Sequence, residues 1–184
     1  MLNSALILVC GPNIAFKLPK LKSRLRGSLG YDKDSLNRIF ETADAFIDYF
    51  VIRLKVNIFT GSGIAIILLL LGIDFSKEII KGDVVALYGD LGSGKTQLIK
   101  GICKGLGVIE EVTSPTFTLM CVYEAKYKIF HFDFYRLSSD SEIYDLGIDD
   151  FIFSDGVSLI EWAEKAQRFL PSKRIDIFFE FGND

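Results

Sequence analysis

The sequence predicts an α/β domain built around a central, largely parallel sheet, and three observations carry that expectation. Short apolar runs bounded by turn residues alternate with stretches of helical periodicity. A glycine-rich loop lies between one such run and the helix that follows it. The chain has 184 residues, 49% hydrophobic and 24% charged. It therefore has the length of one domain, or of one domain with an appendage, and is apolar enough to bury a core.

Along the chain, Ala5 to Cys10 is an apolar run with no positive charge before it and no small-residue cleavage pattern after it, so a secretory signal is the weaker reading. Lys17, Lys20, Lys22, Arg24 and Arg26 form a basic cluster without interleaved aromatics, which favours a solvated arm over a nucleic-acid patch. From Ser35, the positions Leu36, Ile39, Phe40, Ala43, Phe46, Ile47 and Phe50 follow helical spacing and predict an amphipathic helix over about 35–54. Thr60-Gly61-Ser62-Gly63 reads as a break. The expected division is an N-terminal extension of unassigned role, residues 1–60, and a nucleotide-binding domain, residues 61–184.

Within the second region, Ile64 to Leu71 falls far short of the roughly 18 to 20 apolar residues that cross a bilayer and reads as a buried helix or strand. Val84 to Tyr88, bounded by Gly82-Asp83 and Gly89, has the unbroken apolar character of a strand buried on both faces of a parallel sheet. Leu98, Ile99, Ile102 and Leu106 predict a helix closed by Gly107. Lys128 to Phe134 and Val157 to Ile160 read as further strands, and Ser139 with Glu142 makes a capping box for a short helix that Gly147 can close. Arg174 to Phe181 alternates apolar and polar positions, as in a strand at a sheet edge.

Charge and residue counts exclude several chemistries. The balance of 21 Lys and Arg against 24 Asp and Glu argues against a chain that holds nucleic acid by bulk charge. It is also uneven: residues 1–58 carry nine basic against five acidic residues, and residues 59–184 carry twelve against nineteen. Cys10, Cys103 and Cys121 contain no CxxC pair, which suits neither a disulfide framework nor a thiolate zinc site and points to the cytoplasm. The single histidine, His131, rules out paired-histidine metal motifs.

Gly89-Asp90-Leu91-Gly92-Ser93-Gly94-Lys95-Thr96 satisfies GxxxxGK[ST], a pattern expected by chance in such a chain at roughly the one-percent level or below. The glycines let successive backbone N–H groups turn toward phosphate oxygens, and the following helix adds the partial positive charge of its amino end. Lys95 is placed to reach β- and γ-phosphates, and Thr96 to give its hydroxyl to Mg²⁺. Two acids, Asp133 and Glu161, end predicted strands, and ligands of parallel α/β sheets lie outside the carboxyl ends of strands. Either could hold the metal or orient water. Trp162 could flank the nucleotide or simply pack. No DxxG or NKxD occurs, so ATP is the better nucleotide than GTP.

In order along the chain stand GDLGSGKT, TSPTFTL (Thr113 to Leu119), HFDFYRL (His131 to Leu137), LGIDDF (Leu146 to Phe151) and LIEWAE (Leu159 to Glu164). This series strongly resembles the TsaE (YjeE) family, small bacterial ATPases needed to make threonylcarbamoyladenosine in tRNA, from about Leu71 to Phe181. The resemblance implies a P-loop NTPase-like three-layer fold, a central parallel sheet with antiparallel flanking strands. It implies Mg²⁺-dependent ATP hydrolysis in the service of the partner proteins TsaB and TsaD, with tRNA reached only through that complex. It further implies that Thr113 to Thr118, including Thr116, form a switch-like loop near the γ-phosphate. Asp133 would be the acid of HxDxYR, and Glu161 the Mg²⁺-associated acid before Trp162. The chain departs from the family at its front, where residues 1–60 match nothing recognised. Two other readings stay open: a P-loop kinase with its own small substrate, for which the sequence shows no cationic lid, and an ATP-gated assembly factor whose hydrolysis is incidental.

Overall fold

The computed structural model describes residues 4–10 and 61–181; the basic cluster and the helix predicted at about 35–54 lie outside the described residues. Six strands form one sheet: β1 (Ser4–Cys10), β2 (Val84–Tyr88), β3 (Met120–Glu124), β4 (Lys128–Asp133), β5 (Val157–Glu161) and β6 (Ile175–Phe181). Their order is β1-β6-β2-β5-β4-β3. Only the β3–β4 pair is antiparallel; every other neighbour runs parallel. The helices are α1 (Gly61–Phe75), α2 (Lys95–Leu106), α3 (Asp140–Asp145) and α4 (Ile148–Ile152), with short 3₁₀ turns at Ser76–Glu78 and Ala163–Ala166.

The sheet is covered on both faces, which is why β2 and β5 are buried at every position and read as unbroken apolar runs. On one face Val85, Leu87, Leu159, Ile175, Ile177 and Phe179 pack under α1 and α2. On the other, Val84, Ala86, Phe130, Phe132 and Ile160 meet Ile143, Ile148 and Ile152 of α3 and α4, with Ala163 and Ala166. The capping box forms as expected: Ser139 Oγ accepts from the Glu142 N–H, and Glu142 Oε2 accepts from the Ser139 N–H at 2.9 Å. Among the described residues no helix is long and apolar enough to cross a membrane.

Two expectations about elements are corrected. The tract Thr60 to Gly63, read as a break, contains the first turn of α1, which begins at Gly61. Intrinsic propensity disfavours helix there, but the apolar residues behind it, Ile67 and Leu68 among them, are buried and give the helix its tertiary support. The strand Ile175–Phe181, expected at an edge, lies between β1 and β2. Its polar position points not at water but into side-chain partners. Asp176 is buried and accepts hydrogen bonds from Arg174 Nε at 2.7 Å and from the Tyr88 hydroxyl at 3.1 Å, while Phe178 stacks on Tyr88 with ring centroids 4.6 Å apart. The outer neighbour of β6 is β1, paired in register from Ser4 opposite Ile175 to Cys10 opposite Phe181.

Helices α1 and α2 touch backbone to backbone. A Cβ added at Gly101 would lie 2.0 Å from the Leu69 carbonyl oxygen, and one at Gly72 would lie 2.3 Å from that of Leu98. Exposed helical glycines gain about 1 kcal/mol on change to alanine. Here the sign reverses, because the atoms in the way are backbone. We expect Gly101→Ala to lower stability by about 1 to 3 kcal/mol, the usual range for overpacking, read by denaturant unfolding. A second expectation concerns the edge: a chain lacking residues 1–57 keeps β2 to β6 but bares the outer edge of β6. It should melt at a lower temperature than the full chain and aggregate more readily, as unpaired central-type strands do.

Candidate functional site

Parallel pairing brings the carboxyl ends of β2, β4 and β5 together, with Leu87 and Asp133 both opposite Glu161. The loop leaving β2 curls across these ends before entering α2. Gly89 takes φ 136°, and a Cβ there would lie 2.7 Å from the Phe179 carbonyl oxygen, so only glycine fits the exit. Gly94 caps α2 at φ 97°, with Leu68 of α1 directly beneath it. The amino end of α2 therefore opens over the strand ends, where its first N–H groups have no partner in the helix. A cleft of about 420 Å³ results, lined by Leu91, Gly92, Gly94, Lys95, Thr96, Gln97, Ser114, Thr116, Asp133, Tyr135, Glu161 and Trp162.

Lys95 is buried, and its ammonium donates to the carbonyls of Gly89 at 2.6 Å and Asp90 at 2.8 Å while sitting 4.1 Å from the centre of the Trp162 ring. Desolvation pulls the lysine below its usual pKa, against the opposing pull of the carboxylates of Glu161, Glu164, Asp133 and Asp90. Burial likewise raises the Glu164 carboxyl above its usual value, although Lys95 and Lys165 oppose the shift. An ammonium stripped of water in this way has much to gain from an anion. Trp162 holds the left-handed conformation, φ 58°, at the turn out of β5, with Tyr135 at 5.0 Å between ring centres.

The acids are held differently. Thr96 Oγ1 lies 3.0 Å from each carboxylate oxygen of Glu161, and His131 Nε2 lies 2.9 Å from Glu161 Oε1. Asp133 Oδ2 accepts from the Thr116 hydroxyl at 2.6 Å and from the Ser114 hydroxyl, while Oδ1 accepts the Tyr135 N–H at 2.9 Å. Asp133 thus ties the segment from Ser114 to Thr116 to the end of β4.

The structure brings Leu91, Gly92, Gly94, Lys95, Thr96, Thr116, Asp133, Glu161 and Trp162 to one cleft. Gly89, Asp90 and Ser93 are not on its wall. They shape the loop, Asp90 through its carbonyl, which accepts from Lys95 and from the Ser93 N–H. Sequence reasoning placed Ser114 only as part of the loop Thr113 to Thr118, and it missed Gln97, Tyr135 and the contact of His131 with Glu161. The period of two along Ile129 to Asp133 could have found the last, since it sets His131 on the same face as Asp133. Among the described residues no group of three or more His, Cys, Asp and Glu could cage a metal. The Thr96 hydroxyl and the carboxylates of Asp133 and Glu161 suit a hard cation that keeps waters and takes its other ligands from phosphates, the habit of Mg²⁺. The amino end of α2 and the desolvated Lys95 suit a polyphosphate.

Residues 68–183 match the family model described as threonylcarbamoyl adenosine biosynthesis protein TsaE. The tRNA threonylcarbamoyladenosine biosynthesis protein TsaE of Treponema pallidum is 43% identical over 97 residues, covering 53% of this chain and 72% of that protein. That of Bacillus subtilis is 42% identical over 104 residues, covering 56% and 65%. The crystal structure of Bacillus subtilis YdiB superposes with a TM-score of 0.52 at 31% identity, over 68% of this chain and 74% of that one.

Proposed function

The chain belongs to the TsaE family, and from that premise we propose that it is a Mg²⁺-dependent ATPase that supports formation of the threonylcarbamoyl group on the adenosine next to the anticodon in tRNA. The observation that carries the enzymatic part is the meeting of Lys95, Thr96 and Glu161 at one helix terminus, with the Thr96 hydroxyl 3.0 Å from the carboxylate. In this reading the N–H groups of the loop and of α2 receive the phosphates, and Lys95 exchanges its two carbonyl partners for β- and γ-phosphate oxygens. Bound Mg²⁺ supplies neutralisation of the developing charge on those phosphates. Thr96 and Glu161, already in contact, are the pair that would hold it. Asp133, tied to Ser114 and Thr116, is left to orient the attacking water and to sense the γ-phosphate through that loop.

The proposed partners are TsaB and TsaD in the cytoplasm, with tRNA reached only through them. Residues 59–184 carry nineteen acids against twelve bases, so a phosphate backbone is repelled rather than gathered by this domain. The test is ATP turnover by the chain alone and with the two partners, beside an assay of threonylcarbamoyl transfer to tRNA. Stimulated turnover with modification supports the proposal, and modification that proceeds equally without the chain overturns it.

Two outcomes are expected of variants. Lys95→Ala should abolish productive ATP binding in a fluorescence titration, and retention of full turnover would remove the phosphate loop from the mechanism. Glu161→Ala and Asp133→Ala should each lower turnover by 10²-fold or more, roughly the scale lost with one electrostatic partner of a transition state, while changing nucleotide affinity far less.

A further inference from the structure

His131 is the chain's single histidine and is completely buried, yet it is not on the wall of the cleft. It lies on β4 two residues before Asp133, so its ring shares the face of the sheet on which Asp133 and, one strand over, Glu161 stand. Nε2 is 2.9 Å from Glu161 Oε1, and Nδ1 has no hydrogen-bond partner among the described residues. A carboxylate only accepts, so the hydrogen of this bond belongs to Nε2. Nδ1 is left buried without a partner, a costly arrangement that an apolar residue would avoid. The imidazole is therefore poorly explained as packing and well explained by the one bond it makes.

That bond completes a two-sided grip. Thr96 approaches the Glu161 carboxylate from the helix, and His131 approaches Oε1 from within the sheet. The ring is backed by Tyr123 of the neighbouring strand, 6.4 Å away between centres, whose hydroxyl reaches the Thr113 carbonyl at 3.5 Å. With the carboxylate otherwise free to rotate, Thr96 alone would not fix which oxygen faces the cleft.

We propose that His131 is a positioning residue, whose Nε2–H sets the orientation of the Glu161 carboxylate so that it and the Thr96 hydroxyl address the same cation. The inference rests on the reading of Glu161 as the metal-associated acid. Partners of this kind, which orient a ligand without touching the metal, typically change metal affinity by about ten- to a hundredfold when removed.

The test uses the full chain with His131→Leu, which keeps bulk and deletes the donor, and His131→Gln, whose side-chain N–H has similar reach. Binding of a fluorescent, non-hydrolysable ATP analogue is followed against Mg²⁺ concentration, with Glu161→Gln as reference. His131→Leu should raise the Mg²⁺ requirement about tenfold or more, with Mg²⁺-free nucleotide affinity unchanged, and His131→Gln should restore most of the loss. A wild-type Mg²⁺ response in His131→Leu, while Glu161→Gln is shifted, overturns the role of His131 and leaves that of Glu161. An unshifted response in both overturns the two together, and equal losses in the leucine and glutamine variants overturn the donor argument. If the leucine variant does not fold, the wild-type ¹⁵N spectrum decides, since one histidine gives a single pair of imidazole nitrogen signals. A proton on Nε2, with a resonance that moves when Mg²⁺ joins the nucleotide complex, supports the proposal. A proton on Nδ1 alone, or a resonance indifferent to Mg²⁺, overturns it.

Discussion

The site depends on how closely α2 lies against α1. Gly72 and Gly101 let the two backbones meet with no side chain between them, and Gly94 seats the start of α2 directly over Leu68. This contact fixes both the height and the direction of α2 above the sheet. Its amino terminus then falls over the ends of β4 and β5, within hydrogen-bonding distance of Glu161. A Cβ at Gly72 or Gly101 would run into backbone of the facing helix, and one at Gly94 would meet the end of Leu68 in a conformation, φ 97°, that side chains rarely adopt. The apolar character of α1 is thus a requirement of the site as much as of the core.

The electrostatics follow from the same geometry. Two buried carboxylates and a buried ammonium share one cleft, and each ion removed from water costs several kcal/mol unless it is paired or hydrogen-bonded. Lys95 is given carbonyls and the face of Trp162, Asp133 two hydroxyls and an N–H, and Glu161 a hydroxyl and an imidazole. Neither Lys95 nor Asp133 has an opposite charge among these partners. Leaving these charges to polar rather than ionic partners suits the proposed binding of an anion and a cation together.

Much of this was legible in the sequence, for physical reasons. Val84 to Tyr88 and Val157 to Glu161 are buried on both faces, so their composition announces them. The loop motif fixes Lys95 and Thr96 at a helix start, and the capping box at Ser139 fixes another. Position in the sheet was less legible. The alternation in Ile175 to Phe181 is the same whether polar positions face water or, as with Asp176, a half-buried arginine and a buried tyrosine. Met120 to Glu124 and Ile148 to Ile152 are too short to show a period by themselves, and pairing with β4 or packing on the sheet defines them. Most of the cleft's polar side chains are marked by motif. Of their hydrogen-bond partners, His131 is hinted at by the period of two that sets it on the face of Asp133, but its contact with Glu161, like that of Ser114 with Asp133, is fixed only by tertiary pairing.

The partners found at each charged group also determine how a nucleotide could enter. Every protein hydrogen bond that phosphate or cation displaces must be replaced, and such exchanges are close to neutral, about 1 kcal/mol each way. Swapping two carbonyls for phosphate oxygens at Lys95 therefore gains mainly through charge, and through the α2 N–H groups that have no partner in the helix. At Asp133 the exchange has a different consequence. Its Oδ2 is engaged by Ser114 and Thr116, so any new demand on that carboxylate releases two hydroxyls of the loop it restrains. Were the proposed nucleotide to draw on that carboxylate, occupancy of the cleft and the conformation of the loop from Thr113 to Thr118 would be coupled through one oxygen.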